Sequence, residues 1–294
     1  MPELPEVETI RRQLAPVVEG RRLKRVEVLD QRWCMPLLPE ELTDAVEGRR
    51  VQELQRRGKY LLWRLDGEVT LVQHLRMSGA VLCDPPPETR HVRVRIELSR
   101  RRGASGPEAC TRLAVTDPRR FGTAQLLFGH EALEEFFAER LGLEPFHPDF
   151  TTEHLWQMTR GRTAPIKAFL LDQRRIAGVG NIYADEALFA AKLHPLMPAG
   201  RLTRAQAAAL REAVIEALQA GIDAKGASIE DFRHVDGVTG SFQDRFKVHL
   251  REGEPCVVCG SEIVKMVVGG RGTYVCEHCQ RRPRARRPSA RRAR

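Results

Sequence analysis

Between residues 22 and 128 apolar and polar positions alternate, and the alternation predicts strands over 22–29, 51–55, 60–65, 69–75, 92–98, 113–117 and 124–128. In the run 92–98, Val92, Val94, Ile96 and Leu98 fall on one side and Arg93, Arg95 and Glu97 on the other. Successive strand side chains point to opposite faces, so short strands of this kind predict a sandwich of half-buried sheets. Asp84-Pro85-Pro86-Pro87 and the segment 102–107 break the pattern as loops. The period changes on either side. Ile10, Leu14, Val17 and Val18 recur at three or four residues and predict a short helix over 9–18. Beyond residue 150 the same spacing predicts helices over 151–159, 165–172, 182–191 and 203–222. The last is the clearest, with Thr203 and Gln206 as a capping box and Ala207, Leu210, Val214, Leu218 and Ile222 along one side. The fold class is therefore α+β, in more than one domain.

Composition narrows the class. At 294 residues and 42% hydrophobic, the chain can bury a sizeable core and is not disordered as a whole. No apolar stretch approaches the roughly 20 residues of a membrane helix. The opening Met1-Pro2-Glu3-Leu4-Pro5-Glu6 puts acids and prolines where a secretory signal has a basic and then an apolar run, so a cytoplasmic location is expected. The net charge of +9 is unevenly placed: residues 280–294 hold eight arginines and no acid. Arginine alternates there with Pro, Ala and Ser, which predicts a disordered basic tail over 281–294. In the body, 11–32, 49–64 and 90–102 are basic, whereas 131–153 holds seven acids and one arginine. Such segregation suits a polyanion binder, and it equally suits solvated strand and helix faces.

Four of the seven cysteines form a distinct pattern. Cys256-x2-Cys259 and Cys276-x2-Cys279 are 16 residues apart, with Gly269-Gly270-Arg271-Gly272 midway between them. Two knuckles joined by a β-hairpin bring four thiolates to one tetrahedral, structural Zn²⁺. In zinc-finger peptides such binding is worth roughly 10–16 kcal/mol, enough to fold a segment with little core of its own. His278 adds a fifth candidate where four suffice and reads as a bystander. Cys34, Cys83 and Cys110 read as packing residues, and an odd, sparse set does not suit a secreted disulfide framework.

Pro2 is small enough to permit removal of Met1, which would expose a secondary amine. An α-amine titrates near pH 8 and a lysine amine near 10.4, so the former is neutral far more often at neutral pH. It can attack an aldehyde-like sugar carbon and yield a charged iminium directly. Glu3 and Glu6 stand beside it as candidate proton donors or orienters.

Six motifs then occur in order: Met1-Pro2-Glu3-Leu4-Pro5-Glu6-Val7-Glu8-Thr9, Gly58-Lys59-Tyr60-Leu61-Leu62, His74-Leu75-Arg76-Met77-Ser78-Gly79, Asp117-Pro118-Arg119-Arg120-Phe121-Gly122, Gly178-Val179-Gly180-Asn181-Ile182-Tyr183-Ala184-Asp185-Glu186 and the cysteine quartet. Over about residues 1–280 the chain resembles the bacterial formamidopyrimidine-DNA glycosylase (8-oxoguanine-DNA glycosylase/AP lyase) and endonuclease VIII family. The resemblance implies a β-sandwich with an N-terminal helix over 1–130, an acidic linker over 131–150, a helix–two-turn–helix domain over 151–250 and a zinc finger over 251–280. It implies a monomer acting on double-stranded DNA that carries oxidised bases or abasic sites, in base excision repair and close to the nucleoid. Pro2 would be the Schiff-base nucleophile and Glu3 its proton donor; Lys59 and Arg271 would donate protons in β- and δ-elimination. Met77, Arg119 and Phe121 would fill the gap left by the extruded base. His91, Arg119, Asn181 and Arg162 would contact DNA.

The chemistry agrees. A base cannot be excised inside the stack, so something must occupy the void it leaves. Methionine and phenylalanine are suitable wedges, and arginine pairs with a base edge. Taken singly, Met77 and Phe121 read as strand-core residues, Asn181 as a helix N-cap, Lys167 as a solvated charge, and His74 and Glu186 as structural or as supports behind the site. Leu4, where the endonuclease VIII branch has glycine, favours oxidised purines (8-oxoguanine and formamidopyrimidines) over the alternative, oxidised pyrimidines. A non-catalytic, zinc-dependent lesion binder is the reading from outside enzymology. The segment Ser241-Phe242-Gln243-Asp244-Arg245-Phe246-Lys247-Val248-His249-Leu250 departs from the family, which reads His after the glutamine and Tyr-Gly-Arg at the end. That departure leaves strand packing near the finger open. The loop 233–240, which covers the flipped base in the family, does not specify the lesion.

Overall fold

A computed structural model describes residues 2–101, 103, 105–227 and 240–282. Met1, the loop expected to cover the base up to residue 239, and the basic tail from residue 283 lie outside the described residues. The chain divides into two compact units: Met1–His147 with Asp172–Gly180 and Ile215–Arg245, and Pro148–Leu171 with Asn181–Val214 and Phe246–Arg294.

The first unit opens on α1 (Leu4–Val18), which starts earlier than the apolar spacing alone predicts. Pro5 lies in the first turn, where its missing N–H costs nothing, and Glu3 and Glu6 close a capping box. The strands follow as β1 (Leu23–Val28), β2 (Val51–Arg57), β3 (Tyr60–Leu65), β4 (Val69–His74), β5 (Ala80–Cys83), β6 (Val92–Leu98), β7 (Arg112–Thr116) and β8 (Thr123–Phe128). They build two antiparallel four-stranded sheets, ordered β1-β6-β7-β5 and β2-β3-β4-β8. One core joins Ile10 and Leu14 of α1 to Val26, Val94, Ile96 and Val115 of the first sheet and Leu54, Trp63 and Leu71 of the second. Buried aliphatic side chains of this size contribute roughly 1.5–3 kcal/mol each. The expected sandwich is present.

Two helices of this unit were not expected. In α2 (Pro39–Val46) only Leu42 and Val46 are buried, too few for the spacing to register. α3 (Gly129–Ala138) lies in the acidic run expected to be a linker; its acids face outward while Leu133 and Phe137 are buried with Leu62 and Val72. Cys83 and Cys110 pack in the sandwich core as expected, and the two are in addition disulfide-bonded, which the sequence did not suggest.

The second unit carries α4 (Thr152–Thr159), α5 (Ile166–Leu171), α6 (Asn181–Ala190) and the start of α7 (Arg204–Asp223). Both halves of the expected box at α7 are made: Gln206 accepts from the N–H of Thr203, and Thr203 Oγ1 accepts from the N–H of Gln206. The hairpin β9 (Val264–Val268) and β10 (Arg271–Val275) turns through Gly269 and Gly270, both left-handed at φ 59° and 74°. A two-residue turn with that backbone matches strand twist and all but requires glycine. Residues 241–250, whose departure from the family pattern left strand packing near the finger open, contain a short 3₁₀ turn (Phe242–Arg245) and tight turns. No described helix is long and apolar enough to cross a membrane.

Candidate active site and metal centre

The N-terminus is fastened by backbone and by glycine. Pro2 is buried and Glu3 is 1% exposed. The N–H of Glu3 donates to Glu6 Oε2 at 2.9 Å, and the N–H of Leu4 donates to the Gly178 carbonyl at 3.1 Å. Gly178 has φ 91°, and a Cβ there would stand 2.4 Å from the Leu4 side chain. A Cβ on Gly180 would fall 2.1 Å from the Glu3 carboxyl carbon. Only glycine lets this loop close over Leu4 and Glu3. Glu6 spends its second oxygen on the N–H of Ala227 at 2.8 Å, so it acts as a strut between distant segments.

Lys59 follows Gly58, the left-handed residue of the β2–β3 turn, and is 5% exposed. The turn is held from outside: Glu144 accepts from the Gly58 N–H and from Arg56, which also bridges to Glu8. Burial, outweighed by hydrogen bonds from Arg11 and Arg12 and by the nearby cations, leaves the Glu8 carboxyl at about 2. His74 lies 4.5 Å from Tyr60, ring to ring and edge-on. Burial first, and the charges of Arg76 and Lys59 after it, push its pKa down to about 3. A neutral imidazole whose Nδ1 accepts from the Arg76 N–H at 2.9 Å carries its proton on Nε2. The structural reading of His74 stands.

The residues expected to enter or line DNA in this unit are accessible. His91 and Arg119 are exposed, Met77 is half-buried and Phe121 is 52% exposed, so Phe121 is not a core residue. The Arg119 guanidinium lies 5.2 Å from the Phe121 ring centroid. Between them Arg120 adopts φ 60°, with its guanidinium on both oxygens of Asp30 at 2.6 and 2.9 Å. That pairing holds the Asp30 carboxyl below the usual carboxylate range.

Arg271, Arg162 and Asn181 belong to the second unit. Arg271 and Arg162 are exposed, and Arg271 begins β10 opposite Val268. Asn181 is the first residue of α6, and its amide donates to the Gly272 carbonyl at 3.0 Å; the expected N-cap is corrected to a tether on the residue after Arg271. Lys167 is likewise corrected. It is fully buried, 2.7 Å from Asp185, and donates to the Gly272 carbonyl and to Thr273 Oγ1. Asp185 Oδ2 also meets His249 Nδ1 at 2.8 Å, in the segment that departs from the family. Glu186 accepts the N–H groups of Lys247, Val248 and His249, which makes it a cap for that turn. Leu250, at the end of that segment, has a left-handed backbone at φ 60°. The pairing of Asp185 with Lys167 and His249 was invisible in sequence, although the cluster of acids in the Asn181 motif pointed near it.

The four Sγ atoms of Cys256, Cys259, Cys276 and Cys279 lie within 4.8 Å of one another. Tetrahedral thiolates at the usual Zn–S distance stand about 3.8 Å apart. The Cys256–Cys279 and Cys259–Cys276 separations of 3.9 and 3.5 Å match that figure, so the cluster fits one structural Zn²⁺. His278 is not in it. Phe189, Val248, Ile263 and Tyr274 pack around Cys256 and Cys276.

Family models match in three consecutive stretches: the formamidopyrimidine-DNA glycosylase N-terminal domain over 1–124, its H2TH domain over 141–233, and the zinc finger found in FPG and IleRS over 253–282. The formamidopyrimidine-DNA glycosylase of Chloroflexus aurantiacus is 43% identical over 282 residues, spanning 95% of this chain and 98% of that one. The solved MutM (Fpg) protein of Thermus thermophilus is 42% identical with a TM-score of 0.83, covering 95% and 98% of the two chains. Lactococcus lactis Fpg, solved with abasic-site DNA and as a variant with Fapy-dG DNA, is 34% identical with a TM-score of 0.86, covering 96% and 100%.

Proposed function

The chain belongs to the formamidopyrimidine-DNA glycosylase family, and from that membership we propose that Pro2 is the nucleophile of its reaction. The protein is a DNA glycosylase of base excision repair with AP lyase activity, acting on duplex DNA with damaged or abasic nucleotides. With Met1 removed, the Pro2 nitrogen attacks C1′ of the damaged nucleotide, the bond to the base breaks, and Glu3 supplies the proton that the departing base requires. Opening of the sugar at the C1′–O4′ bond, with a proton passing to O4′, then converts the N–C1′ adduct into an iminium whose positive nitrogen draws electrons from the sugar. β-Elimination, with Lys59 as proton donor, then releases the 3′ phosphate. δ-Elimination, with Arg271, releases the 5′ phosphate. His91, Arg119, Asn181 and Arg162 contact the DNA, and Met77, Arg119 and Phe121 fill the space of the extruded base. Zn²⁺ on the four cysteines keeps the hairpin folded, and the cysteines take no part in bond breaking.

The observation that carries this reading is the clasp at the N-terminus: Gly178 and Gly180 leave room for Leu4 and Glu3 and for nothing larger than themselves. It supports a terminus built for a task, because a merely structural helix start needs no such fastening. Oxidised purines are the preferred lesions, supported by Leu4, and the protein works in the cytoplasm on nucleoid DNA. Borohydride should trap the purified protein covalently on an 8-oxoguanine:C duplex, and Pro2→Gly should abolish the adduct. A protein that gives neither adduct nor nick excludes the mechanism, and faster cleavage of a thymine-glycol:A duplex transfers the preference to pyrimidines.

A further inference from the structure

Among the described residues, eight that are not glycine have a left-handed backbone. Three of them, Arg76, His91 and Arg120, at φ 56°, 63° and 60°, lie at Met77, at His91 itself and between Arg119 and Phe121. Such a backbone is strained for a residue with a Cβ and persists where its surroundings over-determine it. Here one residue reaches all three segments, two through its carboxylate and one through its backbone. Asp117, 1% exposed, accepts from the Ser78 hydroxyl at 2.5 Å through Oδ1 and from the Gly122 N–H at 2.7 Å through Oδ2. Ser78 Oγ in turn accepts from the Arg119 N–H at 3.1 Å. The backbone of Asp117 closes the third side: its N–H donates to the His91 carbonyl at 3.0 Å, and its carbonyl accepts from Arg93 Nε at 2.9 Å. A Cβ on Gly122 would stand 3.1 Å from Asp117 Oδ2, so the packing leaves little slack.

We propose that Asp117, acting through Ser78, is the positioning residue of the base-extrusion wedge. It fixes the loops of Met77, His91 and Arg119–Phe121 in one mutual arrangement, so that they enter the stack together when the damaged base leaves. A carboxylate suits this task because it offers two acceptor oxygens, one to the Ser78 hydroxyl and one to the Gly122 N–H. The proposal rests on the reading of the chain as a DNA glycosylase. It separates two steps of that activity. Extrusion of a base requires the wedge, whereas an abasic nucleotide has no base to displace.

Single-turnover rate constants at saturating enzyme are measured on two duplexes, one with 8-oxoguanine and one with a preformed abasic site, each opposite cytosine. Asp117→Ala lowers cleavage of the first by roughly 10- to 100-fold, as expected for loss of two hydrogen bonds to a buried side chain. Cleavage of the second falls by less than about threefold. Asp117→Asn, which keeps the shape and can still accept from Gly122 while donating to Ser78, recovers most of the lost rate. Equal loss on both duplexes in Asp117→Asn, or no loss in Asp117→Ala, overturns the proposal. If the unaltered protein cleaves neither duplex, the enzymatic reading falls first and this one with it.

Discussion

A single imidazole gives the molecule an acid-sensitive point. His74 is forced neutral down to about pH 3 in the folded chain, whereas the unfolded chain binds a proton near its ordinary 6.5. Between those values the unfolded state holds one more proton, so stability present above the ordinary value is lost as pH falls. The slope is about 1.4 kcal/mol per pH unit at its steepest. Urea unfolding at pH 7 and pH 5 should show this decrement in the wild type and a smaller one in His74→Gln. Residue identities were legible in sequence where chemistry is local: the cysteine quartet and the capping box at Thr203 both stand as expected. What a side chain meets across the chain was not legible. Lys167 reads as solvated because lysine usually is, and only tertiary contact shows it buried against Asp185.

At the scale of elements, the hairpin that carries Arg271 is held at the second residue of β10 by two different helices. Lys167 of α5 and Asn181 of α6 both donate to the Gly272 carbonyl. Removing one member of a buried pair leaves the other charge without sufficient compensation. Lys167→Met should therefore destabilise the protein by about 3–5 kcal/mol. The double variant Lys167→Met, Asp185→Leu should recover much of that loss, because a buried ion pair gains little over well-packed apolar groups. Denaturant midpoints of the two variants check the expectation, and equal midpoints refute it. Strand and helix types were legible from period alone for most of the chain. The exceptions have physical causes. β5 is four residues long, α2 buries two side chains, and the charges of α3 drown the signal of Leu133 and Phe137. Turns around residue 250 depend on caps from Glu186, which no local pattern announces.

The whole molecule is assembled out of sequence order. Asp172–Gly180 and Ile215–Arg245 belong with the N-terminal sheets, and α7 crosses from one grouping to the other, so division by composition follows the chain better than it follows space. Charge acts at this scale too. Eight arginines in residues 280–294 supply most of the net +9, and a segment of this kind that neutralises phosphates releases counterions. Deleting residues 281–294 should flatten the dependence of log K on log salt by roughly 0.9 for each phosphate the tail had neutralised, while leaving the choice of lesion unchanged. Titration of an undamaged duplex over a range of salt measures the slope; an unaltered slope places the tail off the DNA.

Besides its local bond to Glu3, the N-terminal turn is anchored to distant chain, Leu4 at Gly178 and Glu6 at Ala227. A ribosome making this protein therefore produces the reactive end first and completes its holder much later. Until the chain has emerged as far as Ala227, the second of these long-range anchors is missing. A C-terminal truncation ahead of that point should leave the reactive end without that anchor permanently, even with Pro2, Glu3 and Lys59 still in place.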